Sequence, residues 1–166
     1  MKKLILIIGA LSVILISCGP TEDDAIKYND SLIDITEKII EKQDLFINQL
    51  DGHNVDSLKI TYQLFVKQAE ISIEELSKVK IFDDKNEFGN SASEFIATVN
   101  SIVNNEAKQM VELLSKEAEQ YTEYDQEKLD KLASKFDEQN NKAFENLKKE
   151  QLAFSKEWNF KLNFDR

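Results

Sequence analysis

The chain reads as all-α: an up-down-up-down antiparallel four-helix bundle behind an N-terminal leader. Three observations predict this. Glycine and proline, which punctuate turns, number only 4 and 1 in 166 residues, while the strong helix formers Glu, Lys, Gln, Leu, Ile and Ala fill the body. Apolar residues recur at alternating three- and four-residue spacing over long stretches. The breaks between those stretches are short, and short loops between long helices make neighbours antiparallel.

Helix one is predicted over residues 22–50, opened by the capping-box pair Thr21-x-x-Asp24. It carries two adjacent seven-residue rows, Leu32-Ile39-Phe46 and Ile26-Ile33-Ile40-Ile47. It stops at Asp51-Gly52-His53-Asn54, where Gly suits a helix end and Asn the next cap. Helix two, 54–81, has Val55, Leu58, Tyr62, Phe65, Ala69, Ser72, Leu76 and Val79 at coiled-coil spacing, with one polar exception. Val66 and Ile73 widen that seam to the breadth a four-helix core needs.

A loop at 82–86, extending toward Gly89-Asn90, separates helix two from helix three, 87–120, where Ser91-x-x-Glu94 forms a second capping-box pattern. Its apolar face is Phe95, Ile96, Val99, Ile102, Val103, Met110, Leu113 and Leu114. A softer break at Tyr121–Tyr124 contains a third pair, Thr122-x-x-Asp125, and starts helix four, 123–160, with Leu129, Leu132, Phe136, Ala143, Leu147, Phe154 and Trp158 inward. At about 1.5 Å per residue the helices are on the order of 40–55 Å long. Phe160, Leu162 and Phe164 alternate and so cannot share one helix face. They either wrap the bundle end or form an exposed patch for a partner.

The leader says where the protein goes. Met1-Lys2-Lys3, an apolar run from Leu4 to Ile16, and Ser17-Cys18 have the layout of a secretory signal peptide. The run is shorter than the roughly 20 apolar residues that span a bilayer. Leu15-Ile16-Ser17-Cys18 resembles the bacterial lipobox, in which the cysteine thiol receives a diacylglycerol and becomes the mature N-terminus. The alternative is a free thiol beside an ordinary cleavage site, which wants a small residue where Leu15 stands. Residues 1–17 are thus expected to be the signal peptide, 18–24 the lipidated Cys18 with a short tether, and 25–166 a single bundle domain. Stable anchoring needs two signals, which a diacylglyceryl thioether plus an amide-linked chain would supply.

The expected location is the bacterial cell envelope, lipid-anchored and at the outer membrane. Glu22-Asp23-Asp24 resembles the acidic export signals that carry some Gram-negative lipoproteins to the cell surface. The same acids also suit the positive end of a helix dipole.

Composition excludes several functions. Lys2 and Lys3 leave with the leader, so 19 of the 21 basic residues face 31 acidic ones, a formal net charge of −12. That opposes nucleic acid, which needs clustered cations to displace counterions, and opposes a second, electrostatic hold on anionic lipid. Cys18 is the only cysteine, so no internal disulfide or thiolate metal site can form. The one histidine, His53, sits in a predicted loop, which removes the Glu-x-x-His di-iron pattern and triads built on histidine. No Walker loop or dinucleotide glycine fingerprint is present. Met110 alone remains as a thioether for haem. No cofactor, metal or enzymatic activity is expected.

Polar residues inside the stripes are the other feature. Asn29, Thr36 and Gln43 flank the apolar stripe of helix one, Glu106 interrupts that of helix three and Asn140 that of helix four. Asn29, Gln43, Glu106 and Asn140 line a small-ligand pocket on one reading. On the other they are boundary positions that fix helix register at some cost in stability. A buried Glu106 requires a partner such as Gln43 or a lysine.

With its lipobox, four helices and the Tyr28-Asn29-Asp30 opening, the mature chain is similar to a family of bacterial surface lipoproteins of unknown function. Gln43, the Phe82–Phe88 loop and Glu106 before Met110-x-x-Leu113-Leu114 carry the same resemblance. It implies a helical surface protein and supplies no activity. The function expected is therefore binding: a non-enzymatic module meeting another envelope or extracellular protein through an exposed helix face or the aromatic end. A small-ligand carrier and a plain envelope spacer are the alternatives.

Overall fold

Thr21 opens the fold with a reciprocal cap. Its Oγ1 accepts from the Asp24 amide at 3.2 Å while the Asp24 carboxylate accepts from the Thr21 amide at 3.0 Å, and helix α1 (Glu22–Leu50) follows. In this computed structural model residues 19–52 and 54–162 are described, and Cys18, His53 and Phe164 lie outside them. Asn54 caps α2 (Val55–Ser77) through its Oδ1, which accepts from the Ser57 amide at 3.0 Å. The third rod is α3 (Glu87–Ile102), a single π turn (Val103–Ala107) and α4 (Lys108–Leu114) in unbroken succession. Thr122 and Asp125 form a second reciprocal box that opens α5 (Glu123–Glu157). Among the described residues the protein is all-helical, with four helical rods and no strand.

The rods pack by the predicted faces. Phe46 of α1 stacks on Phe65 of α2 with ring centroids 5.9 Å apart, and Ser72 Oγ donates to the Ile35 carbonyl at 3.4 Å. Phe95 of α3 meets Phe144 of α5 at 6.1 Å, and Asn146 Nδ2 donates to Glu94 at 3.2 Å. Leu32, Ile39, Ile96, Val99, Ile102 and Met110 fill the space between. Each large side chain removed from water there contributes roughly 1.5–3 kcal/mol.

One end is built of rings. Phe154 contacts Tyr28, Phe82, Phe88, Trp158 and Phe160 at centroid distances of 5.3 to 6.3 Å. Phe160 thus wraps the bundle end. Tyr28 Oη donates to Asn86 Oδ1 at 2.8 Å, and burial, with Asp83 nearby, pushes its hydroxyl pKa up to about 12. Gly89 makes this approach possible. A Cβ there would collide with the Tyr28 hydroxyl and with the Asn86 side chain.

Three boundaries, one cap and one face differ from the sequence reading. Helix two ends at Ser77, not 81, because Phe82 must turn inward to stack on Tyr28 at 5.1 Å. The Ser91-x-x-Glu94 box does not form. The helix begins at Glu87, as read from the sequence, behind Asn86 in the left-handed region (φ 49°), and the Asp83 carboxylate accepts from the Lys85 and Asn86 amides at 3.0 and 2.6 Å. Ser91 is buried mid-helix and donates to the Phe88 carbonyl. The third rod ends at Leu114, not 120, where Lys116 turns to reach Asp125 at 2.7 Å. Helix four stops at Glu157, not 160. There Asn159 takes the left-handed conformation (φ 58°) and the Phe160 amide returns to the Ser155 carbonyl at 3.0 Å, a Schellman-type end. Ile73, assigned to the seam, is 43% exposed.

Two measurements check this packing. An alanine in place of a mid-helix glycine normally helps by about 1 kcal/mol, but Gly89→Ala should lower stability by about 1–3 kcal/mol through overpacking. Adding Tyr28→Phe should recover part of that loss in a double-mutant cycle, and strict additivity would refute the contact. The second concerns acid. Hydrogen bonds from Lys116 and from the Thr122 backbone hold the Asp125 carboxyl below its ordinary value of 3.8. Its stabilising effect is complete above that value and is lost as pH falls below it through the lower folded-state value. Denaturant titrations between roughly pH 5 and pH 2 should show a shallower acid limb for Asp125→Asn than for the parent chain.

Candidate functional site

The polar row of α1 points inward. Asn29, Thr36 and Gln43 lie seven residues apart, two helical turns each, and are all buried. Asn29 Oδ1 accepts from Gln151 Nε2 of α5 at 2.9 Å, and its amide donates to Asp30 at 3.2 Å. Thr36 Oγ1 donates to the Ile33 carbonyl at 3.0 Å. The buried Oε1 of Gln43 meets no hydrogen-bond partner among the described residues, nor do Oδ1 of Asn140 and Oε1 of the adjacent Gln139. An unpaired buried oxygen costs about 1–3 kcal/mol, so each marks a place where water or a ligand group would be welcome.

Glu106 is only 2% exposed, and it sits in the π turn. Such single turns insert one residue into a helix. Its carboxylate pairs with the Lys135 ammonium of α5, whose side chain is 59% exposed and reaches in from the surface. A lysine is therefore the partner that the buried carboxylate required. The Tyr62 hydroxyl of α2 donates to the Val103 carbonyl at 3.4 Å where the turn begins.

Asn29 and Glu106 sit at different levels of the bundle. Asn29 is held by Gln151 and Glu106 by Lys135, sixteen positions apart on α5 or roughly 24 Å along its axis. Among the described residues, three of the grooves lie as follows. One of about 830 Å³ runs between α3 and α5 beside Glu94, Thr98, Ser101, Gln139, Lys142 and Asn146. A second, about 690 Å³, lies beside Gly19, Pro20, Lys27, Lys80 and Ile81. The third, about 470 Å³, is at the opposite end among Leu50, Leu58, Leu114 and Tyr121. None of the three is lined by Asn29, Gln43, Glu106 or Asn140. No group of three metal-ligating side chains occurs among the described residues, and no described helix is long and apolar enough to cross a membrane.

The sequence reading missed an outward apolar stripe. Ile60 and Leu64 of α2 are 58% and 44% exposed and sit one turn apart, away from the face that buries Leu58, Phe65 and Ala69. Leu45 of α1 is also exposed. The four-residue spacing of Ile60 and Leu64, out of phase with the seam, was a signal available in the sequence.

No protein-family profile, curated protein or solved structure matches this chain.

The Glu106–Lys135 pair should respond asymmetrically to substitution. Lys135→Met leaves a buried carboxylate unpaired and should cost about 3 kcal/mol in denaturant unfolding at neutral pH. Glu106→Gln, which leaves no buried charge, should cost under about 1.5 kcal/mol. Equal losses would show that the carboxylate is not desolvated.

Proposed function

We propose that this chain is a lipid-anchored, non-enzymatic helical bundle of the bacterial envelope that works by binding another envelope or extracellular protein. Its rods run up-down-up-down, residues 1–17 are its signal peptide and Cys18 carries the lipid. For the topology, the support is reciprocal pairing: Phe46 meets Phe65 while the earlier Ile35 meets the later Ser72, and Phe88 meets Phe154 while Phe95 meets Phe144. For the anchor, the support is Leu15-Ile16-Ser17-Cys18 placed three residues before a capped helix. The outer membrane, with display at the surface, is the location that fits the acidic opening. Asp24 serves the cap, whereas Glu22 and Asp23 are exposed and available to an export machinery.

The observation that carries the binding reading is the pair of exposed apolar residues one turn apart on α2, Ile60 and Leu64, with Leu45 of α1 exposed as well. Apolar side chains on an otherwise acidic surface mark contact sites. The aromatic end is consumed by its own packing on Phe154, which favours the helix face as the contact. Charge then sets the character of the partner: a shell of −12 suits a basic surface, with binding that weakens as salt rises. The small-ligand reading keeps one specific support, the unpartnered oxygens of Gln43 and Asn140.

Two experiments test this. Cys18→Ala should move the protein from the membrane to the soluble fraction, and continued retention would remove the anchor. A photo-crosslinking residue at position 60 or 64 should trap one reproducible protein in intact cells, while the same residue at Glu127, on α5, should not. Absence of any such adduct, together with a small molecule of constant mass retained in native mass spectra, would favour the carrier.

A further inference from the structure

The tether end of the bundle combines several features that the binding reading leaves unused. Gly19 and Pro20 are exposed and lead directly into the Thr21 cap. Three peptide units separate Cys18 from Thr21, a reach of roughly 10 Å. On the reading that Cys18 is lipidated, on which this inference rests, the base of α1 cannot stand further than that from the acyl boundary. The groove at this base has Gly19, Pro20 and Lys27 on one wall and Lys78, Lys80 and Ile81 on the other. Ile81 is 73% exposed, in the segment between α2 and α3. Phe82, immediately after it, stacks on Tyr28 and meets Trp158 edge-on at 5.0 Å.

We propose that this end is seated on the lipid surface itself, with Ile81 entering the acyl–headgroup boundary and the ammonium groups of Lys27 and Lys80 meeting lipid phosphates. The observation that selects lipid over protein is distance: an anchored chain three residues long leaves little room between this end and the bilayer for a folded partner. Chemistry agrees. Neither Lys27 nor Lys80 has a carboxylate partner among the described ion pairs, whereas Lys78 is held by Glu74 at 2.6 Å and Lys85 by Glu157 at 3.6 Å. A long ammonium side chain can reach a headgroup while its stem lies on apolar surface. Glu22, Asp23 and Asp24 share this end and oppose anionic lipid, so a zwitterionic surface is the fitting one. Seating would orient the rod on its membrane and keep Ile60 and Leu64 out of the lipid.

The test uses full-length processed protein carrying Ile81→Cys, whose only free thiol is then the new one, labelled with an environment-sensitive dye. Mass spectrometry first establishes the diacylglyceryl mass on Cys18. In phosphatidylcholine–phosphatidylethanolamine vesicles the label should emit to the blue of its value in detergent-free buffer and lose intensity to brominated acyl chains. The same dye on Tyr124→Cys, exposed at the far end, should do neither. Lipidated protein whose position-81 label is unquenched overturns the seating and leaves the anchor standing. A blue shift in cell membranes without quenching by brominated lipid assigns Ile81 to a protein contact, which also overturns it. An unmodified Cys18 removes both readings together.

Discussion

Phe154 is the side chain on which the arrangement of the rods depends. It lies on α5, yet its ring touches Tyr28 of α1, Phe82 of the α2–α3 segment, Phe88 of α3, and Trp158 and Phe160 just past the end of α5. No disulfide is available to fix this end, so ring packing must do it. Aromatic pairs at these distances add about 0.5–1.5 kcal/mol each beyond the area they bury. Gly89 is the backbone counterpart of that cluster, because only a residue without Cβ lets α3 approach the Tyr28 hydroxyl. The early end of α2 at Ser77 and the left-handed turn at Asn86 are the backbone adjustments that deliver Phe82 and Phe88 to it.

Much of the fold was legible because the chain states it locally. Thr21 and Asp24 fix the first helix start and Thr122 and Asp125 the last, since each pair satisfies amides that have no other partner. The seam of Leu58, Phe65, Ala69 and Ser72 is buried as its spacing demands. Ser91-x-x-Glu94 shows where local rules stop. The pattern is a valid cap in isolation, but the helix already runs from Glu87 with Phe88 buried, and Ser91 bonds back to a helical carbonyl instead. The end of α5 was readable in principle from Asn159, a residue that tolerates the left-handed conformation. The π turn was not: the groups that reach it from other rods, the Tyr62 hydroxyl and Lys135, cannot be paired with it from spacing along one helix.

The candidate polar residues were legible as a set and not as a place. Seven-residue spacing put Asn29, Thr36 and Gln43 on one face, and that face is interior. What spacing cannot give is height along the bundle relative to other rods. Gln151 and Lys135 settle it by holding Asn29 and Glu106 at separate levels. Lys135 itself could not be singled out beforehand, being one of many lysines on a solvated helix.

Why a bundle would keep such groups inside follows from what they cost. An apolar side chain of similar size at Gln43 or Glu106 would avoid desolvating a polar group, and buried ion pairs are often no more stabilising than apolar replacements. Their effect is on alternatives. Sliding α5 by one heptad along its neighbours would preserve most apolar contacts, since Phe136, Ala143 and Leu147 recur at similar spacing. It would part Asn29 from Gln151 and set Phe144 or Trp158 in its place, a loss of about 1–3 kcal/mol for a buried amide left unpaired, whereas Glu106 would meet another lysine, Lys128 or Lys142, one heptad from Lys135. The Asn29–Gln151 pair thereby disfavours slipped registers of similar apolar burial. The register of α1 against α2, the two helices that carry Leu45, Ile60 and Leu64, is set separately, by Phe46 on Phe65 and by the Ser72 hydroxyl on the Ile35 carbonyl, so the outer faces of those helices hold their relative height whatever α5 does.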